Sequence, residues 1–149
     1  MNPSPDRTPT PAAAPARILV VDDDQAVRDA IARTLRREGH EVVCAESGEA
    51  ALALTAPVDA AHAFDLVISD VVMPGISGVD LVERLRRANP SLELILISGY
   101  PGKHLDNPPV VLSNGDLLQK PFTPRQLAAR VQQKIERVAA RHHLDAAST

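Results

Sequence analysis

Tryptophan is absent from this chain, and tyrosine, phenylalanine and cysteine are scarce: one Tyr, two Phe and one Cys in 149 residues. The lone Cys44 excludes an intrachain disulfide, and nothing argues for an oxidising compartment. With aromatics at 2% against 44% apolar residues, any core must be aliphatic, built from Val, Ile, Leu and Ala. No apolar run approaches the roughly 18 residues of a membrane span. No basic stretch followed by an apolar one opens the chain, so a secretory leader is not expected. Positive charge is not in excess either. The formal net charge of −3 gives no general attraction to nucleic acid or to an anionic membrane, and neither is expected as a partner. The expectation is one domain of ordinary size in the cytoplasm.

What is present is an alternation. Residues 1–16 are rich in Pro and Ala and lack large apolar side chains, so a disordered tail is expected there. Ile18–Val21 (ILVV) is a short continuous apolar run, the pattern of a strand covered on both faces. Val27, Ile31 and Leu35 then fall four apart on an amphipathic helix, and Gly39 stands where a left-handed cap belongs. Glu41–Ala45 reads as a second strand, followed by a short helix capped by Ser47 and ended by Pro57. Leu66–Ser69 is a third strand. Ser77 and Asp80 then open a helix that turns Leu81, Val82 and Leu85 inward and closes at Asn89-Pro90. Leu92–Ser98 and Asp116–Gln119 are the fourth and fifth strands. Thr123, Pro124 and Gln126 supply a cap, a proline at the first helical position and a box partner for a last helix carrying Leu127, Val131, Ile135 and Val138. That helix is expected to run to about Arg141, with residues 142–149 as a disordered tail. Strand and helix alternate as in a doubly wound parallel α/β sheet with right-handed crossovers. One segment departs: Tyr100–Gly115 holds Pro101, Pro108, Pro109, Gly102 and Gly115, so a fourth helix there is expected to be short or irregular.

In an open parallel sheet all strands end on one edge, and ligands bind there where strand order reverses. Asp22 and Asp23 follow strand one, and Asp70 follows strand three. In the flavodoxin-like order 2-1-3-4-5 these strands are neighbours and the carboxylates converge. Two unit charges about 4 Å apart repel by roughly 4 kcal/mol at an effective dielectric near 20. Such a cluster calls for a counter-charge or a raised pKa, and carboxylates suit a hard divalent cation, Mg²⁺ first. Ser98 ends strand four and Lys120 ends strand five. A metal, a hydroxyl and an ammonium around Asp70 form a crevice for a phosphoryl group, with Asp70 left as the nucleophile. Taken singly the residues have plainer readings: Asp24, or Asp23, as a helix cap, Asp70 as a turn residue, Ser98 in a loop, Lys120 at the surface. Their common place after separate apolar strands is what singles them out. The histidines make no rival site, since His40, His62, His104 and the His142-His143 pair lack zinc-like spacing with Cys44.

The segments ILVVDDD, LVISDVVMPGISGVDL, LILISG and LLQKPFTP, in this order, resemble the four motifs of the response-regulator receiver domain of two-component signalling. The resemblance covers roughly Arg17–Arg137, and a receiver domain over residues 17–141 is the expectation. It implies that Asp70 accepts a phosphoryl group from a histidine kinase or histidine phosphotransfer protein. It also implies that Asp22 and Asp23 hold Mg²⁺, with the Val72 backbone carbonyl completing the metal site, that Ser98 is the switch hydroxyl, and that Lys120 binds phosphate. A cis Lys120-Pro121 bond is expected on the same ground. SGY together with LLQKPFTP is most similar to receivers attached to hybrid histidine kinases. Leu117 stands where the family often has an aromatic, and Tyr100 is a candidate substitute.

The chain is expected to be a single-domain response regulator, not an enzyme beyond Mg²⁺-dependent self-phosphorylation and autodephosphorylation. Its output would pass to an unknown downstream protein by contact or by phosphorelay, from a monomer or weak homodimer. The alternative is a phosphorylation-independent, receiver-like interaction module. A haloacid-dehalogenase-like phosphatase is a further contrast, but strand one ends in DDDQA rather than in that family's D-x-D-x-[TV] pattern.

Overall fold

The structure, a computed structural model, describes residues 15–55, 64–99 and 115–148. Five strands and four helices follow one another as β1 (Arg17–Val21), α1 (Gln25–Arg37), β2 (Glu41–Ala45), α2 (Gly48–Thr55), β3 (Leu66–Asp70), α3 (Gly78–Ala88), β4 (Glu93–Ser98), β5 (Leu117–Gln119) and α4 (Pro124–Ser148). The strands form one parallel sheet in the order β2-β1-β3-β4-β5, the expected flavodoxin-like topology.

Successive strand residues face opposite sides, and both sides are apolar, as parallel strands between two helical layers require. Leu19, Val21, Val67, Leu94 and Leu96 pack with Leu81, Val82 and Leu85 of α3 and Ala51 of α2. Ile18, Val20, Leu66, Ile68, Ile95 and Ile97 pack on the other side with Ile31 and Leu35 of α1 and Leu127, Val131 and Ile135 of α4. Buried Leu and Ile side chains contribute about 1.5–3 kcal/mol each, enough to build a core without aromatics.

The caps form where the sequence places them. The Asp24 side chain accepts from the amides of Ala26 and Val27 and caps α1. Gly39 takes φ +93° just past that helix. Ser47 Oγ accepts from Ala50 N, and Ser77 Oγ from Asp80 N. Thr123 and Gln126 make a complete reciprocal box at the start of α4, at 2.8 and 3.0 Å.

The ends of β1, β3, β4 and β5 shift by one residue from the sequence-based ranges, and larger differences lie where the tails begin. Ala16, expected at the end of the tail, is buried, because its carbonyl accepts from Glu41 N and its amide donates to His40 Nδ1, extending the β1–β2 pairing by one residue. The backbone of α4 stays helical through Ser148, where a disordered end was expected; HHLDAAS has neither Gly nor Pro to stop it. The expectations on residues 1–14, on Pro57 and on the proline-bearing segment from Tyr100 to residue 114 lie outside the described residues. Among the described residues, no helix is long and apolar enough to cross a membrane.

Candidate functional site at the C-terminal edge of the sheet

Because β1 and β3 are direct neighbours, the residues that follow them meet. One carboxylate oxygen from each of Asp22, Asp23 and Asp70 lies within 4.8 Å of the others. Their exposures differ: Asp22 is buried, Asp23 exposed and Asp70 between the two. Burial pushes the Asp22 carboxyl above the ordinary aspartate range. The Asp24 amide, donating to Oδ1 at 2.9 Å, pulls the other way; of the charges, Asp70 and Asp23 raise it further and Lys120 lowers it. The second Asp22 oxygen, Oδ2, is buried and has no hydrogen-bond partner among the described residues. A buried carboxylate oxygen with no donor, facing two further acids, is what a hard cation would satisfy, and three oxygen donors match Mg²⁺ chemistry.

Lys120 Nζ stands 3.5 Å from Asp70 Oδ2 and supplies one positive charge. It arrives there because β5 pairs with β4: Lys120 N donates to Ser98 O at 2.8 Å, and the following Lys120-Pro121 bond is cis. Ser98 is buried at the end of β4, one residue beyond Ile97, which registers with Asp70. Val72, two residues beyond Asp70, is exposed. All six residues singled out in the sequence thus lie along one edge. Leu117 is half-buried against the core on the α2/α3 side of the sheet. Tyr100 is outside the described residues.

Several supporting residues were not singled out in the sequence. Arg28 Nη1 donates to the Asp22 carbonyl at 2.7 Å, holding the turn that presents Asp22. Ser69 Oγ donates to the Asp70 carbonyl at 3.0 Å. Gly78 N donates to Val71 O, and a Cβ on Gly78 would collide with the Asp70 carbonyl, so the first turn of α3 can pass behind Asp70 only as glycine. The clue to Gly78 was its place in S-G directly after the capping serine. Arg28 looked like any outward helix arginine.

The response regulator receiver domain family matches residues 18–132. The chain is 43% identical over 114 residues to the response regulator protein FleR of Pseudomonas aeruginosa, a match covering 75% of this chain and 23% of that one. It is 37% identical over 122 residues to the uncharacterized transcriptional regulatory protein YrkP of Bacillus subtilis, covering 81% of this chain and 50% of that one. It therefore spans half or less of these relatives' lengths. Among solved structures, it is similar to the receiver domain from the hybrid histidine kinase CckA (38% identity, TM-score 0.65, 80% of this chain and 98% of that one). It is also similar to the chemotaxis response regulator CheY4 of Vibrio cholerae (28% identity, TM-score 0.69, 81% and 99%).

Proposed function

The chain belongs to the response regulator receiver domain family, and from that premise we propose that Asp70 accepts a phosphoryl group from a histidine kinase or histidine phosphotransfer protein. The observation that carries the reading is the acid cluster itself: three carboxylates within 4.8 Å, one buried oxygen without a donor, and a single ammonium 3.5 Å from Asp70.

In this reading Asp22, Asp23 and the Val72 carbonyl hold Mg²⁺ together with Asp70. Bound there, Mg²⁺ would offset the charge of the carboxylates and of the phosphoryl oxygens. An Asp70 carboxylate oxygen attacks phosphorus in line, the P–N bond to the donor imidazole breaks with its electron pair leaving on nitrogen, and an acyl phosphate forms on Asp70. Lys120 releases Asp70 Oδ2 to neutralise a phosphoryl oxygen, and the Ser98 hydroxyl donates to another. Hydrolysis of the acyl phosphate resets the domain.

The donor needs a surface beside Asp70. An apolar groove of about 450 Å³ between Val27, Ile31 and Thr34 of α1 and Pro121, Phe122 and Leu127 has Lys120 at its rim, and is the docking place proposed for it. The receiver unit is proposed to span residues 17–141 and to act in the cytoplasm. Its output would be protein contact or onward phosphoryl transfer.

The test is incubation with acetyl phosphate and Mg²⁺, or with a phosphorylated kinase, followed by intact-mass analysis. The expected result is one base-labile phosphoryl group per chain, absent in Asp70→Asn and absent with EDTA. An unmodified wild-type chain, or an Asp70→Asn variant modified equally, overturns the reading. Leu117, packed on the core where an inward-swinging aromatic would sit, favours a second reading, an interaction module indifferent to phosphorylation. That reading requires Asp70→Asn to leave partner binding unchanged.

A further inference from the structure

The loop between β3 and α3 carries Val72, the one proposed metal ligand that is not a side chain. Its beginning is fixed by the sheet, since Val71 N donates to Ile97 O and Gly78 N to Val71 O, both at 2.9 Å. Its middle is fixed from a different part of the chain. Ile76 N donates to Glu49 Oε2 at 3.2 Å, from the first turn of α2, 27 residues earlier in sequence. Gly75 lies directly against the same carboxylate, close enough that a Cβ there would collide with it, and its φ of +81° belongs to the left-handed region. Beside this contact, a Cβ on Gly48 would come 2.9 Å from Ile76 Cβ, so α2 and the loop touch backbone to side chain in both directions. Ser47 caps the same turn, holding Glu49 in place.

We infer that Glu49 is a positioning residue for the metal site: its carboxylate latches the Gly75–Ile76 backbone and so sets where the Val72 carbonyl stands relative to Asp70. Glu49 touches neither phosphate nor metal, and acts only through the loop. The inference rests on the proposed Mg²⁺ reading and extends it to a residue on a strand–helix unit, β2–α2, that contributes no ligand.

The experiment measures Mg²⁺ affinity by calorimetry and amide exchange at Ile76 by NMR, for the full chain and for Glu49→Ala and Glu49→Gln. Glutamine keeps an acceptor oxygen and removes the charge. Support is a Mg²⁺ dissociation constant about 3–10-fold weaker in Glu49→Ala, as expected for loss of about one hydrogen bond. Glu49→Gln should stay within about twofold of wild type, and Ile76 exchange should be faster only in the alanine variant. Unchanged Mg²⁺ affinity in Glu49→Ala overturns the latch. Equal weakening in both variants also overturns it, because charge rather than the bond would then be responsible. A wild-type chain that binds no Mg²⁺ at all, with Asp23→Asn indistinguishable from it, instead removes the underlying metal reading and takes the latch with it.

Discussion

Carboxylates gather at both ends of the sheet, and the two gatherings are opposites. Among the described residues at the C-terminal edge, three carboxylates lie beside the Lys120 ammonium, 3.5 Å from Asp70, and Asp22 keeps a buried oxygen without a hydrogen-bond partner. At the N-terminal edge, Glu93 and Asp116 are both buried, and three cations meet them. Lys134, itself buried, bonds both acids; Arg141 bonds Glu93, and Arg137 lies 3.7 Å from it. Among the described residues, one end is neutralised from within the chain, while the other has fewer cations than carboxylates. The buried acids of the N-terminal edge stitch β4 and β5 to α4, whereas the acids of the C-terminal edge form a cluster that could hold a cation.

The contrast can be broken at either end, and the effects should rank. The largest is expected at the neutralised end. Lys134→Ala removes the cation that the two buried carboxylates share, leaving Arg137 and Arg141 on Glu93, which costs about 3 kcal/mol and lowers Tm by about 10 °C in calorimetry. A loss below about 1 kcal/mol would mean that the network is not needed to hold α4. Next is the other end: Mg²⁺ at about 100 times its dissociation constant should raise wild-type stability by about 2.7 kcal/mol in urea unfolding, and Asp23→Asn should remove most of that gain. Smaller, and of opposite sign to the first, Asp22→Asn in EDTA should stabilise the protein by about 1 kcal/mol, because it removes a charge that burial and Asp70 both oppose while keeping an acceptor for Asp24 N. Destabilisation there would erase the distinction between the two ends.

The smallest effect is a pH dependence at the neutralised end. His40 Nδ1 accepts from Ala16 N at 3.1 Å and must be neutral to do so. Burial lowers its pKa below the ordinary histidine value, with Glu38 and Asp65 opposing. The folded chain therefore resists a proton that the unfolded chain accepts. This contribution is complete above about pH 6.5 and declines as pH falls below it, levelling off below the folded pKa. Between about pH 7.5 and 5.5, wild type should lose stability relative to His40→Gln, read as the difference between their unfolding free energies.

The same contrast explains what could be read from the sequence. Asp22, Asp70, Ser98 and Lys120 were legible because each interrupts an apolar run at its C-terminal end, where a parallel sheet collects its ligands. The alternation of strands and helices implies a doubly wound parallel sheet, but not by itself its order; 2-1-3-4-5 is the flavodoxin-like arrangement that makes β1 and β3 neighbours. Glu93 and Asp116 sit at the starts of strands, a position that singles out nothing, and their partner Lys134 is 41 and 18 residues away. The clue to Lys134 was its spacing: three residues after Val131 and seven after Leu127 puts it on the inward stripe of α4, yet a lysine there reads as solvent-facing. Ala16 went unread because its role is a backbone pairing rather than a side chain. The continued helix past Arg141 went unread because a polar stretch without breakers reads equally as helix or tail.

Asp22, Asp70, Ser98 and Lys120 come from β1, β3, β4 and β5, so the crevice has no local precursor. During synthesis, nearly a hundred residues emerge between the first acid and Lys120, and Lys120 reaches Asp70 only when the last strand docks. A nick that let the two halves of the sheet separate would erase the site without altering one of its side chains. Loading of a cation into this cluster would therefore report that the whole sheet has assembled.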